Sequence, residues 1–272
     1  MANEATDNTT QAALAPPFVF NCFPMASAFV TGASRGIGLA LVGKLLARSS
    51  GGGTVIAAAR SASVSPGLAA LQAQHGGRLV VVDMDVTDVE SIDAAARLCT
   101  GPCGLLVHGA AMMHPSGKGE NSVQRLEQAD FSAVMATNVI GPALLTKALY
   151  PRLREAAKAD QAKVIAIGAG VGSVGTNAAG GWYSYRVSKT ALNALMKNLA
   201  IEGARHNVLT ATLYPEMVDT AFAQPYVKNN PYPQLRTADE TATRMLELTD
   251  ELTDVKRSGR FVNIWSKADI PW

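Results

Sequence analysis

The stretch Thr31-Gly-Ala-Ser-Arg-Gly-Ile-Gly38 has the residue types and spacing to hold a diphosphate. It follows the apolar Ala28-Phe29-Val30 and opens the helix-compatible run Leu39 to Leu46, which puts it at a strand-to-helix junction. A tight turn that presents backbone N–H groups and a helix N-terminus to phosphate oxygens leaves no room for Cβ atoms, and Gly32, Gly36 and Gly38 supply the bare positions. The spacing favours dinucleotide binding. It is not the G-x-G-x-x-G of the better-known fingerprint, so the eight residues alone also fit a plain βα turn. A second apolar run, Thr54 to Ala59, ends on Arg60 and offers no carboxylate. An acidic residue at such a strand end pairs with ribose hydroxyls, whereas a basic one can pair with a 2′-phosphate.

The elements that must carry these groups follow from the apolar pattern. Strands are expected at 27–31, 54–59, 78–82, 104–107, 164–167, 208–214 and 259–265, and helices at about 39–49, 66–75, 89–98, 126–150, 183–205 and 238–248. The strands are continuous apolar segments without polar alternation, each followed by a helical period, which implies a parallel sheet covered on both faces. The expected fold is a single-domain, doubly wound α/β sheet. Residues 1–24, interrupted by Pro16-Pro17 and Pro24, read as a flexible extension before a domain at 25–272. Within it, 112–122 and the glycine-rich 168–181 read as loops, 152–163 as a charged, solvated segment, and 216–236, with Pro225, Pro231 and Pro233, as an irregular flap. A bend is expected in the fourth helix, 126–150, at Asn138 and Gly141-Pro142.

Composition narrows the function classes. With 24 Lys plus Arg against 22 Asp plus Glu the net charge is +2, and no basic block is present, so nucleic-acid binding is unsupported. Cys22, Cys99 and Cys103 with four histidines suggest neither a disulfide framework nor a metal site. No apolar run approaches the roughly 20 residues of a membrane span, and Glu4 and Asp7 stand where a secretory signal would be basic, so a cytoplasmic location is expected.

Over residues 25–272 the chain resembles the short-chain dehydrogenase/reductase family. The resemblance rests on motifs that occur in order: the Thr31 to Gly38 turn, Asp85-Val86 after the third strand, Asn138-Val-Ile-Gly141 in the long helix, Tyr185-Arg-Val-Ser-Lys189, and Pro215 after the sixth strand. The run Tyr185 to Asn193 and the terminal Ile270-Pro-Trp272 look most like the single-domain carbonyl reductases of the Sniffer and C-factor type, and on that likeness the C-terminus is expected to be complete.

The resemblance implies NADP as cofactor and a small carbonyl compound as substrate, with a homodimer or homotetramer as the assembly, although monomers occur in this branch. Tyr185 would protonate the substrate oxygen. Lys189, one helical turn on and on the same face, would favour the ionised phenol and hold the nicotinamide ribose. Asn138 would anchor a water and stabilise the helix bend. Gly32, Ser34, Arg35, Gly36, Ile37 and Gly38 would wrap the diphosphate and adenosine, with Arg35 and Arg60 selecting the 2′-phosphate. Asp85, Val86, Gly109, Ala110, Pro215, Val218 and Thr220 complete the implied cofactor contacts.

Three positions depart from the family pattern. Ala169 stands where the catalytic serine is expected, and the loss of such a donor costs on the order of 10²–10³ in rate; Ser173 is the candidate substitute, Ser184 a weaker one. His108-Gly-Ala-Ala111 replaces Asn-Asn-Ala-Gly, leaving His108 as a structural residue or one that titrates near neutrality. Glu216 replaces the glycine after Pro215. Two functions therefore stand: an NADPH-dependent reductase weakened or rewired at the serine, and a cofactor-binding protein with little catalysis that acts through a partner or as a redox sensor.

Overall fold

The computed structural model describes residues 26–48, 53–228 and 235–272. The extension at 1–24, with Cys22, and the flap's central residues 229–234 lie outside the described residues. Seven strands, β1 (Ser27–Thr31), β2 (Val55–Ala59), β3 (Leu79–Asp83), β4 (Cys103–His108), β5 (Ala162–Ile167), β6 (Val208–Tyr214) and β7 (Arg260–Asn263), form one sheet in the order β3-β2-β1-β4-β5-β6-β7. Every pairing is parallel. Helices α1 (Gly36–Ala47), α2 (Pro66–His75), α3 (Val89–Arg97), α4 (Gln128–Met135), α5 (Gly141–Ala156), α6 (Tyr183–Gly203), α7 (Gln224–Val227) and α8 (Ala238–Glu251) join and flank them.

Because side chains alternate along a strand, successive residues feed opposite cores. Val30, Val107 and Ile165 point to the layer of Leu41, Leu45, Met245 and Leu246 from α1 and α8. Their neighbours Phe29, Leu106 and Val164 point to Ile92, Leu145, Leu149, Leu192 and Met196 from α3, α5 and α6. Cys99 and Cys103 are free thiols buried in the second layer.

Two expectations are corrected. The fifth helix does not stop before Pro151. It runs to Ala156, because Leu149 and Leu153, both 0% exposed, anchor the turns either side of the proline. The segment 152–163 is thus not uniformly solvated: Lys163 lies inside β5, and its buried Nζ donates to the Thr249 carbonyl oxygen at 2.7 Å. Running on to Ala156 also makes the helical stretch Gln128–Ala156 long and apolar enough, by length and composition alone, to cross a membrane; here its buried face packs on the sheet and α3.

The expected bend is a single π-helical turn, Ala136–Ile140, which carries Asn138. The chain winds from β1 toward β3 and then from β4 toward β7, so the order reverses between β1 and β4. A parallel sheet opens a crevice at the carboxyl ends of the strands at that point.

Candidate active site

The loops after β1 and β4 meet in that crevice. A Cβ on Gly32, whose φ is +66°, would come within 2.7 Å of the Gly109 and Ala110 backbone, and one on Gly38 would stand 2.2 Å from the Gly32 carbonyl oxygen. The Thr31 hydroxyl fastens the two loops by accepting from the N–H groups of Gly109 (3.0 Å) and Ala110 (3.1 Å). α2, α3 and α8 each carry a side-chain N-cap, from Ser65, Asp88 and Thr237. α1, like α4 to α7, carries none, and it has no acidic residue in its first turn, so its leading N–H groups could receive an anion. A bare-backbone cradle beneath an uncapped helix fits a diphosphate.

The cleft that begins there has a volume of about 1390 Å³, beyond the roughly 300–1,000 Å³ of a pocket for one drug-sized ligand. That is room for a dinucleotide and a substrate together. Gly32, Ser34, Arg35, Gly36, Ile37, Gly38, Arg60, Asp85, Val86, Gly109, Ala110, Tyr185, Lys189, Pro215, Val218 and Thr220 all line it. At the adenosine end, the Asp85 carboxyl is held below its ordinary range, first by the Thr87 N–H and hydroxyl and then by the charge of Arg60.

At the other end, α6 buries Tyr185 and Lys189 on one face. Lys189 Nζ donates to the Ile167 carbonyl oxygen (2.9 Å) and lies 5.7 Å from the centre of the Tyr185 ring. Burial lowers the Lys189 pKa to about 8. Burial raises that of Tyr185, and the neighbouring phenol of Tyr214 adds to the rise. The direction is opposite to the lowering expected from the ammonium, because burial disfavours the charged phenolate. A phenol that keeps its proton is suited to giving that proton to a nascent alkoxide.

Asn138 and Ser173 do not reach the cleft wall. The buried Asn138 side chain clamps the backbone of Met112, accepting from its N–H and donating to its carbonyl oxygen (both 2.7 Å), and also donates to Ser188 Oγ at 2.9 Å. It fastens the π turn of the long helix to the loop after β4. Ser173, expected as the substitute donor, is 1% exposed, and its hydroxyl donates to the Pro271 carbonyl oxygen beneath the C-terminal segment. Ser184 is likewise buried at the start of α6 and absent from the wall. Ala169 does line the cleft.

His108 is structural. Its Nε2 lies 2.8 Å from Thr146 Oγ1, and burial pushes its pKa down to about 3. Glu216 sits in the cleft wall at φ +60°, and its carboxylate accepts from Asn263 Nδ2 at 2.9 Å.

Residues not anticipated from the sequence complete the substrate end. Trp182 stacks edge-on to Tyr185 and Tyr226, with ring centres 6.5 and 5.6 Å apart, and Phe222 lies 6.4 Å from Tyr185. Tyr214, the last residue of β6, also faces the cleft. In the sequence its one mark is its place immediately before Pro215.

A family model described as short chain dehydrogenase matches residues 26–231. The NADPH-bound carbonyl reductase from chicken fatty liver is 32% identical and superposes with a TM-score of 0.78 over 91% of this chain and 99% of that one. The carbonyl reductase Sniffer of D. melanogaster, 24% identical, shares the fold with a TM-score of 0.79 over 91% of this chain and all of that one. The C-signal protein of Myxococcus xanthus is 29% identical over 65% of this chain and 98% of its own length. With the ordered motifs and the cleft geometry, the matched model shows that this chain belongs to the short-chain dehydrogenase family of oxidoreductases.

Proposed function

We propose that this protein is an NADP(H)-dependent reductase of small carbonyl compounds. The observation that carries the reading is the union, in one cleft, of a bare-backbone diphosphate cradle with a buried tyrosine–lysine pair one helical turn apart. The likeness to the NADPH-bound chicken reductase and the Arg35 and Arg60 guanidinium groups at the adenosine end support NADP(H). When bound, the cofactor supplies a hydride to the carbonyl carbon. Gly32 and the leading N–H groups of α1 hold its diphosphate, and Lys189 holds its nicotinamide ribose. Tyr185 gives its proton to the carbonyl oxygen as charge develops there. The aromatic wall of Trp182, Phe222 and Tyr226 excludes water and favours apolar or planar substrates.

Fluorescence titration with NADPH, followed by NADPH oxidation assays with aldehydes, diketones and quinones, tests the reading. The expected result is firm NADPH binding and a turnover that Tyr185→Phe lowers by about 10³-fold or more while binding stays unchanged. Firm binding with no turnover above that of Tyr185→Phe would favour the second reading, a cofactor-binding regulatory protein, to which Ala169 lends its weight.

A further inference from the structure

We infer that Tyr214 supplies the hydrogen-bond donor to the substrate carbonyl that Ala169 cannot, so the active site has been rebuilt with a phenol reaching in from the neighbouring strand. The inference rests on the reductase reading above. β5 and β6 remain paired to their carboxyl ends, with Ile167 opposite Leu213 and the Gly168 N–H donating to the Leu213 carbonyl oxygen at 2.8 Å. In this register Tyr214 falls beside Gly168, with Ala169 one residue further on, and both Ala169 and Tyr214 line the cleft. Tyr214 is held from its other side too, pairing with Asn263 and accepting from the Ile264 N–H at 3.0 Å. A donor on a doubly paired strand is pre-aimed, as electrostatic stabilisation of a developing oxyanion requires.

Gly170 shows where the phenol lies. A Cβ there would stand 3.1–3.2 Å from Tyr214 Cζ, Cε1 and Oη, inside ordinary van der Waals contact. The hydroxyl end of Tyr214 thus rests over Gly170, the residue next to Ala169, and the bare Gly170 leaves the space it fills. Tyr185 lines the same cleft, and Tyr214 adds to the rise in its pKa. Of the other hydroxyls on the wall, Thr137 belongs to the π turn of the long helix and Thr220 stands against Gly36 of the diphosphate turn. Ser34, Ser61 and Thr87 belong to the diphosphate and adenosine end, beside the α1 turn, Arg60 and Asp85. Tyr226 stands at the mouth against Trp182. In the reaction Tyr185 transfers the proton; Tyr214 keeps its own and hydrogen-bonds the oxygen as negative charge builds on it.

The test is a square of variants, wild type, Tyr214→Phe, Ala169→Ser and the double variant, with Tyr185→Phe as the reference. For each, kcat and KM with 4-nitrobenzaldehyde, the NADPH dissociation constant, the melting temperature, and the cofactor-free affinity for 4-nitrobenzaldehyde from quenching of tryptophan fluorescence are measured. Tyr214→Phe should lower kcat by about 10²-fold, as loss of one oxyanion donor does. Cofactor affinity should stay unchanged, and aldehyde affinity should fall by less than about fivefold, the worth of one neutral hydrogen bond. Ala169→Ser should return about tenfold or more of the lost rate in the Tyr214→Phe background and change the wild type by less than about threefold. Wild-type kcat in Tyr214→Phe, with Tyr185→Phe inactive, would overturn the inference and leave the reductase reading standing. A gain of about 10²-fold from Ala169→Ser alone would overturn it as well, whether or not Tyr214→Phe folds, because it would show the donor position empty. Wild-type turnover no higher than that of Tyr185→Phe would overturn the reading and the inference together.

Discussion

Replacing His108 by asparagine should flatten the acid side of the protein's stability profile. His108 ends β4 at 4% exposure, and its Nε2 lies 2.8 Å from Thr146 Oγ1. The Thr146 hydroxyl donates to the Pro142 carbonyl oxygen, so the imidazole N–H is the donor between the two side chains. Burial pushes the folded-state pKa from 6.5 to about 3. In the unfolded chain the ring takes up its proton near pH 6.5, and in the folded chain only near pH 3. Between those values the unfolded state binds one more proton, so stability is fully present above about 6.5 and falls as the pH is lowered, by about 1.4 kcal/mol per unit. From about pH 7.5 to about pH 5 the loss is roughly 2 kcal/mol, or about 4–8 °C in Tm for a domain of this size. His108→Asn retains a donor for Thr146 and has no charge to gain. Thermal unfolding of both cofactor-free proteins, followed by circular dichroism at the two pH values and matched ionic strength, isolates this residue, since the carboxylates contribute equally to both. The wild type should lose about 4–8 °C more than the variant over the acid step. Equal losses in the two proteins would refute a neutral, buried His108.

At the adenosine end, Arg60→Asp should weaken NADPH binding by about 10–100-fold, the worth of a charge-assisted hydrogen bond, and should strengthen NADH binding. Fluorescence titration with both cofactors checks this, and a parallel loss for both would show that Arg60 does not select the 2′-phosphate. Glu216→Gln keeps the side chain that accepts from Asn263 and removes only its charge from the cleft wall. NADPH should then bind about threefold more tightly at low salt, with the gain disappearing near 1 M salt, where the Debye length is about 3 Å. A gain that persists at high salt would assign the effect to geometry instead of charge.

How far the molecule could be read from its residues follows from which of its determinants are local. The strands were legible because a parallel sheet buried on both faces needs continuous apolar runs, and Val55–Ala59, VIAAA, is buried at every residue. The diphosphate cradle was legible because its requirement, the absence of Cβ atoms at fixed spacing, is written in the glycines themselves. The extent of the fifth helix was not: Pro151 signals a stop, and only the long-range burial of Leu149 and Leu153 overrides it. The substrate end was hidden for a related reason. Ser173 looked available because it lies four residues from Ala169, yet the Gly170–Gly172 turn carries its hydroxyl under Pro271, a partner 98 residues away. Tyr214 looked like an ordinary strand residue, since nothing in its own neighbourhood says that β6 lies beside β5 or that Gly170 leaves room for its ring. A donor lost at one strand end can be replaced from the next strand end with no trace in the local motif. An alanine in a family serine position therefore says that one hydroxyl is missing from its usual strand, and only the strand order says whether another phenol or hydroxyl stands in the same place.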